Sequence, residues 1–345
     1  MLPVKFLKKY LTSHQDHDEN MKLQNIFKPM YYTLSFLGLL PYNFKFPNNK
    51  HGFVAIRKSI YANAVCALSI IITVYTFFAM HLSNIFISSE SISMTDVIVT
   101  KMNYILELVN LLSVGTVTYI CAFLNRWEYI NILNEIYFTW NQVPNDNRNG
   151  ILAQFRFHVN VVALGTVLAM LAIQACVNFS RNNSFWKMIL VVTSFNLPQM
   201  IQFVTIAFFY VLIMMVVVLL KNINDNLTKM TAKHSANGYI NVEPKSCTIL
   251  RKLELAYMKA FEIKDEINEA FQTPILLTAL QCFHCIVSEG HIIYHGVVIE
   301  KLLSTHEVIN CALWIFYQLV KVYALAISGN ALKNEVCVFI NMILF

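Results

Sequence analysis

Residues 203–220 read FVTIAFFYVLIMMVVVLL, a run of 18 side chains without a single charge. As a helix this run rises about 27 Å, which nearly crosses the roughly 30 Å of hydrocarbon in a bilayer. It belongs to a longer apolar block, Phe185–Leu220, which exceeds one crossing and therefore predicts a helix that is tilted or projects beyond the bilayer. This block places the chain among integral membrane proteins.

Five further apolar blocks accompany it. The chain is 57% hydrophobic and 13% charged, whereas a soluble domain carries about 25% charged residues. The sequence therefore predicts an all-α, polytopic membrane helix bundle of about six spans. The other five blocks are Ile60–Ile85, Val97–Asn125, His158–Val177, Pro274–His295 and Val308–Ile327.

The distribution of Lys and Arg predicts the orientation, because cytosolic loops of membrane proteins are enriched in both. With six spans, 21 of these residues fall on the side of the N-terminus, and three (Arg181, Lys187 and Lys301) fall on the other. The N-terminus is therefore expected in the cytosol. The third loop, on the opposite side, contains glycosylation sequons at Asn178 and Asn182, and an extracellular or lumenal address would allow their modification.

The chain divides into three parts on this interpretation. Residues 1–58 form a cytosolic N-terminal segment, 59–327 form the six-helix bundle, and 328–345 form a short cytosolic C-terminal segment. Within the bundle, residues 221–273 are expected to form a cytosolic helical extension, because apolar side chains recur every three to four positions from Leu250 to Phe271.

Polar side chains inside the spans are costly in hydrocarbon and are expected to face protein or water. Such side chains could surround a small polar or amphipathic ligand. The Asn and Gln side chains among these candidates could instead hydrogen-bond neighbouring helices, and Trp186 also suits an aromatic belt at the membrane interface. The candidate ligand-binding residues are Asn103, Glu107, Asn110, Gln174, Trp186, Asn196, Gln199, His284, Ser288 and Glu289.

Motifs for other chemistry are missing from the sequence. It contains no nucleotide-binding loop, nucleophile elbow or paired-carboxylate motif, so we expect neither an enzyme nor a cofactor. His291 and His295 are spaced like a metal-binding pair, but no zincin glutamate accompanies them, and we expect no metal site. The net charge of +6 is mostly cytosolic and indicates contact with membrane lipid rather than nucleic acid. Lys321 is expected to extend to the lipid headgroups.

Two stretches resemble the insect gustatory receptor family. The first, residues 27–41, reads FKPMYYTLSFLGLLP and ends in a Leu-Gly-Leu-x-Pro pattern before the first span. The second, residues 267–271, reads INEAF and is followed by an apolar span that reaches Tyr294. Six spans, a cytosolic N-terminus, short outer loops and a long fourth loop are also similar to that family.

The resemblance implies a ligand-gated cation channel in the plasma membrane of sensory neurons. It implies a homo- or hetero-tetramer with other gustatory receptors, and a pocket for a small-molecule tastant in the outer half of each subunit. It also implies a seventh helix with a Thr-Tyr…Gln-Phe signature that lines the pore. That signature does not occur here, so residues 328–345 are expected to be the start of the seventh helix in a chain that would not conduct alone.

A small-molecule transporter or another polytopic membrane protein is the alternative. Transporters often show repeated halves with broken helices at matching positions, whereas only the fourth block contains an internal proline, Pro198. G-protein-coupled receptors fit less well, because their N-terminus is outside and their Asp/Glu-Arg-Tyr and Asn-Pro-x-x-Tyr motifs are missing.

Overall fold

The computed structural model describes residues 23–40, 60–87, 96–144, 148–181, 185–236, 244–299 and 305–344. In these ranges every regular element is a helix and none is a strand. Short π-helical segments at 158–164 and 192–196 join neighbouring α-helices, and another at 295–299 follows α9. The α-helices are α1 (Leu23–Phe36), α2 (Ile60–Ile87), α3 (Asp96–Leu124), α4 (Arg126–Gln142), α5 (Arg148–Phe157), α6 (Gly165–Arg181), α7 (Phe185–Val191), α8 (Leu197–Ala236), α9 (Pro244–Tyr294) and α10 (Thr305–Leu344).

Five helical stretches of the described chain are long and apolar enough to cross a membrane. The remaining predicted block corresponds to α2, a 28-residue helix that includes the apolar stretch Ala67–Ser83. The prediction of an all-α membrane bundle of about six spans is therefore confirmed. The five stretches are Ile105–Leu124, Gly150–Ala175, Val192–Thr231, Cys247–Ile299 and Glu307–Asn341.

Helix α8 forms the centre of the bundle. In the 18-residue window of its apolar stretch, 94% of the residues are buried inside the protein, whereas the share is 28–44% in the corresponding windows of the other four stretches. The run at 203–220 is therefore enclosed by other helices, and its apolar character matches a protein core. Phe208 shows this packing, because its ring lies 5.3 Å from that of Phe271 on α9 and 5.5 Å from that of Tyr129 on α4.

Residues 27–40, the described part of the stretch at 27–41, pack against the rest of the bundle. Phe27, Met30 and Leu34 on one face of α1 are buried, and the Tyr119 hydroxyl donates to the backbone carbonyl of Leu37 at 2.8 Å. Gly38 has φ +70°, and a Cβ there would lie 3.1 Å from the backbone nitrogen of Ala67. Glycine is therefore required at this turn both for its conformation and for the close approach to α2.

Helices α8 and α9 are both much longer than one crossing requires. Helix α8 continues past Leu220 to Ala236, and α9 runs for 51 residues through Pro274 without a break. At 1.5 Å per residue, α9 is about 76 Å long. Both parts of the predicted extension at 221–273 are thus helical wherever the structure describes them.

The C-terminal segment differs from the expectation. Residues 328–344 belong to α10, which is one helix from Thr305 to Leu344, so in the described residues they do not start a helix of their own. Contacts with the neighbouring extensions hold them in line. The Phe339 ring stacks on that of Tyr257 at 3.4 Å, and the Asn224 side-chain amide donates to the Glu335 carboxylate at 3.0 Å.

Candidate functional site

A group of polar and thiol side chains faces the centre of the bundle, where α3, α8, α9 and α10 pack together. We call this group the polar network. Helical spacing aligns its members within each helix, since residues three or four apart share a face. Its members, all buried, are Glu107 on α3, Gln199 and Gln202 on α8, Gln281, Cys282, Cys285 and Glu289 on α9, and Gln318 and Lys321 on α10.

Lys321 lies at one end of the polar network and is 0% exposed. Its Nζ donates to the Oε1 atoms of Gln199 at 2.7 Å and Gln318 at 2.9 Å, and also to Oε1 of Gln202. An ammonium has three donors, so these contacts use all of them. The rings of Phe203 and Tyr317 lie 5.0 and 5.4 Å away, within the range of cation–π attraction.

The expectation that Lys321 reaches the lipid headgroups is therefore wrong. An ammonium in a low-dielectric interior must be hydrogen-bonded or paired. Here three glutamines from two helices supply the acceptors within the protein, and the side chain remains inside.

Two carboxylates and a thiol lie at the other end of the polar network. The Cys285 Sγ donates to Oε1 of Glu107 at 3.3 Å, which joins α9 to α3. The ligand atoms of Glu107, Cys285 and Glu289 all lie within 4.8 Å of one another. Gln318 connects this end to the first, because its Nε2 donates to Cys285 Sγ at 3.4 Å while its Oε1 accepts from Lys321.

Side contacts extend the network to other helices. The Gln202 amide donates to Oε1 of Gln281 at 3.3 Å, between α8 and α9. The Tyr317 hydroxyl donates to Oε1 of Gln174 at 2.9 Å, which brings α6 against α10. The π-helical segment at 192–196, followed by Pro198 in the first turn of α8, precedes Gln199 and Gln202; such segments are frequent at functional sites.

The ten sequence-predicted site residues divide into three groups. Glu107, Gln199 and Glu289 belong to the polar network, and Gln174 touches its edge through Tyr317. Asn196 and Ser288 are also buried, and in the sequence they lie close to the network residues Gln199 and Glu289. In the described chain, no hydrogen bond joins Asn103, Asn110 or His284 to the network, and each is partly exposed. Trp186 is 50% exposed, with its ring 6.3 Å from that of Phe77.

Buried amides near the network carry polar atoms without a partner in the described structure. These are the Nε2 atoms of Gln174, Gln199 and Gln281 and the Oδ1 atom of Asn196. Unsatisfied buried polar groups are rare in folded proteins, and an exception needs an explanation. Gln174, Gln199 and Gln281 thus each present an unused amide donor in this part of the bundle.

The list of candidate residues drawn from the sequence omits six members of the network: Gln202, Gln281, Cys282, Cys285, Gln318 and Lys321. The available signal was Lys321 itself, a charged residue inside an apolar block, which by default indicates a functional position. Gln318, one turn earlier on the same helix, strengthens that signal.

A separate crevice lies between α2, α3 and α8. Its lining is mostly apolar and includes Val74, Gly115 and Pro198. The Tyr75 hydroxyl and the Thr116 hydroxyl share a hydrogen bond of 3.1 Å at its wall. The crevice is therefore lined mostly by apolar groups, in contrast to the polar network.

The sequence matches the family described as 7tm chemosensory receptor over residues 27–338. The chain belongs to the 7tm chemosensory receptor family. The resemblance carried by residues 27–41 and 267–271 is confirmed at the level of this family. Comparison of this chemosensory receptor with curated proteins by sequence gives no match.

Solved structures with a similar fold include two of an insect olfactory receptor. One is the olfactory receptor OR5 from Machilis hrabei, with a TM-score of 0.65 and 12% identity. The other is the same receptor in complex with eugenol, with a TM-score of 0.62 and 14% identity. Each alignment covers 95% of this chain and 82% of the solved chain. The chemosensory receptor described here therefore shares the fold of an insect olfactory receptor.

Proposed function

We propose that this chemosensory receptor is a gustatory receptor, a subunit of a ligand-gated cation channel that detects a small-molecule tastant. The observation that carries the proposal is the polar network, which places a buried lysine and two buried carboxylates among four helices. Ionisable groups inside a membrane bundle are costly and therefore mark functional sites. Membership of a chemosensory family and a fold like that of a receptor solved with eugenol support the same conclusion.

The proposed ligand is a small, uncharged molecule with several hydroxyl groups. Gln174, Gln199 and Gln281 offer amide donors, while Glu107 and Glu289 offer carboxylate acceptors. A hydroxyl both donates and accepts, so a hydroxyl-rich molecule would use both kinds of group at once. Other predicted residues that complete the proposed pocket are Asn103, Asn110, Trp186, Asn196, His284 and Ser288.

Gating in this proposal uses the helices that meet at the network. Lys321 and its glutamines bind α10 to α8, and both helices continue well beyond the network. A ligand that binds these groups more tightly in an open arrangement would shift the population toward it by that difference in affinity. Movement of α9 and α10 against α8 would then be transmitted to the parts of these helices that extend beyond the network.

The proposed working form is a homo- or hetero-tetramer in the plasma membrane of a sensory neuron. Its N-terminus and the extensions of α8 and α9 would lie in the cytosol, and the third loop would lie outside. Asn178 lies in the last turns of α6, and Asn182 lies outside the described residues. Glycosylation of either asparagine would support this orientation.

Whole-cell recording tests the proposal. The receptor is expressed alone and with a second chemosensory receptor, and sugars, bitter compounds and amino acids are applied. We expect a cation current evoked by hydroxyl-rich compounds. Lys321→Met should raise the concentration for half-maximal current about 10–100-fold, because it removes the charge-assisted hydrogen bonds, about 1.5–3 kcal/mol each, that hold the Gln199 and Gln202 side chains in position.

Lys333→Met is the matched control, since Lys333 is exposed on the same helix. It should leave the response unchanged, and surface labelling should show equal amounts of all variants at the membrane. Equal responses from the two variants would contradict a role for the network in ligand response. Uptake of a ligand without any current would favour the transporter alternative.

A further inference from the structure

We infer that Glu107, Cys285 and Glu289 form a binding site for a divalent, zinc-type metal ion between α3 and α9. The inference goes beyond the proposed channel function: Glu107 and Glu289 also belong to the proposed ligand pocket, but the test of the metal site does not require a current. It also differs from the expectation drawn from the sequence, which considered His291 and His295 and predicted no metal site.

The three ligand atoms are already close together. All lie within 4.8 Å of one another, and Cys285 Sγ is 3.3 Å from Glu107 Oε1. In a tetrahedral zinc site with bonds of about 2.0–2.3 Å, neighbouring ligand atoms are about 3.3–3.5 Å apart. Small rotations of the two glutamates would therefore bring the three ligand atoms to these distances, with the fourth position left for water.

The backbone arrangement favours such a site. Cys285 and Glu289 are four residues apart on α9 and so project from the same face. Glu107 faces them from α3, which packs directly against α9. Metal ligands on two packed helices need no rearrangement of the chain.

The balance of charges also favours a metal ion at this position. Two carboxylates and a thiolate carry three negative charges, which a divalent ion and the Lys321 ammonium together neutralise. Lys321 is one side chain away, because Gln318 contacts both Lys321 Nζ and Cys285 Sγ. Without a counter-cation, like charges this close in a low dielectric are avoided by protonation, so the ion would take the place of protons. Metal binding would displace the thiol proton, which leaves to solvent.

The surroundings of the Cys285 sulfur also favour a metal ion. The Gln318 amide donates to Cys285 Sγ at 3.4 Å, and such a hydrogen bond stabilises a thiolate and orients it as a ligand. A sulfur and two carboxylate oxygens suit a borderline-soft ion such as Zn²⁺, whereas Ca²⁺ and Mg²⁺ prefer oxygen alone.

A direct test uses the purified, full-length chain in detergent. Cd²⁺ is titrated in, and the ultraviolet charge-transfer band from thiolate to Cd²⁺ is recorded, with Zn²⁺ added as competitor. We expect a band that saturates at one ion per chain. Cys285→Ser should abolish the band, Glu107→Gln and Glu289→Gln should weaken Zn²⁺ competition at least about tenfold, and Gln318→Leu should weaken it about 10–100-fold.

Cys282→Ser is the matched control, since Cys282 is also buried and lies one turn away on the same helix, with its Sγ against Gln318. It should keep the band, and size-exclusion profiles should show that every variant is folded. A wild-type chain without the band, or a band that survives Cys285→Ser, would overturn the inference.

A functional readout separates this inference from the proposed function. If the receptor conducts, Zn²⁺ should change the ligand-evoked current of the wild type and leave that of Cys285→Ser unchanged. Metal binding in a receptor that gives no current would support the metal site and count only against the channel proposal.

Discussion

Two lysines show how differently this receptor treats a positive charge in two regions. Lys321 is fully buried in the polar network and is held by three neutral glutamine oxygens. Lys259, on the α9 extension, has a side chain that is 35% exposed and pairs with Glu135 and Glu262, each at 3.0 Å. Water screens the second charge, so its partners matter little. Lys321 lies away from water, so each of its three N–H donors must have an acceptor within the protein.

The largest expected effect comes from removing acceptors while the buried charge remains. In Gln199→Leu/Gln202→Leu, the Lys321 ammonium keeps one of its three acceptors. We expect a loss of about 3–5 kcal/mol in the free energy of unfolding, because a buried charge without partners is strongly destabilising. Unfolding by SDS titration in mixed micelles measures the loss.

Two controls sharpen this result. Adding Lys321→Met to the double variant should recover most of the stability, since the charge is then gone. Gln154→Leu should have little effect, because Gln154 accepts from Lys221 at 2.7 Å at an exposed position. Failure of Lys321→Met to rescue the double variant would show that the glutamines stabilise the bundle independently of the lysine.

A smaller effect should follow from removing the aromatic face beside the buried charge. Phe203 lies 5.0 Å from Lys321 Nζ and 4.5 Å from the Tyr317 ring. Phe203→Leu should cost about 1–2 kcal/mol through the lost cation–π and ring contacts. The same micelle titration, run with and without Lys321→Met, measures the part that depends on the charge.

The control for this substitution is Phe209→Leu. Phe209 is also buried on α8, and its ring packs 5.6 Å from Phe271. Its cost should be the same with or without Lys321→Met. An equal cost of Phe203→Leu in both backgrounds would exclude a cation–π contribution.

The smallest effect is expected at Lys259, the partly exposed lysine. Glu135→Gln removes one of the two carboxylates beside Lys259, and we expect a change below about 1 kcal/mol that shrinks further in high salt. Glu254→Gln, exposed on the same helix, serves as the control. A loss as large as that of the glutamine double variant would mean that the extension is not surrounded by water.

Much of the fold and part of the site follow from the sequence. The apolar blocks predict the spans because hydrocarbon thickness fixes their length, and Glu107, Gln199 and Glu289 could be identified as polar groups inside those blocks. The burial of residues 203–220 inside the protein could not be predicted, because an apolar run has the same composition whether it faces lipid or other helices. The sequence pattern assigns residues 328–344 to a segment apart from the sixth span. Their contacts with Tyr257 and Asn224 join residues far apart in the sequence, and local patterns do not reveal such contacts.

The sequence by itself determined the class of protein, the number of spans and the residues whose burial would be costly. Local composition and helical period are sufficient for these conclusions. The tertiary structure alone decided that Lys321 turns inward and which groups surround it. The headgroup position and the interior are both physically acceptable for a lysine near the end of a predicted span, as Lys321 is in Val308–Ile327. Which one is adopted depends on acceptors from α8, more than a hundred residues away, and only packing of the helices brings them within hydrogen-bonding distance.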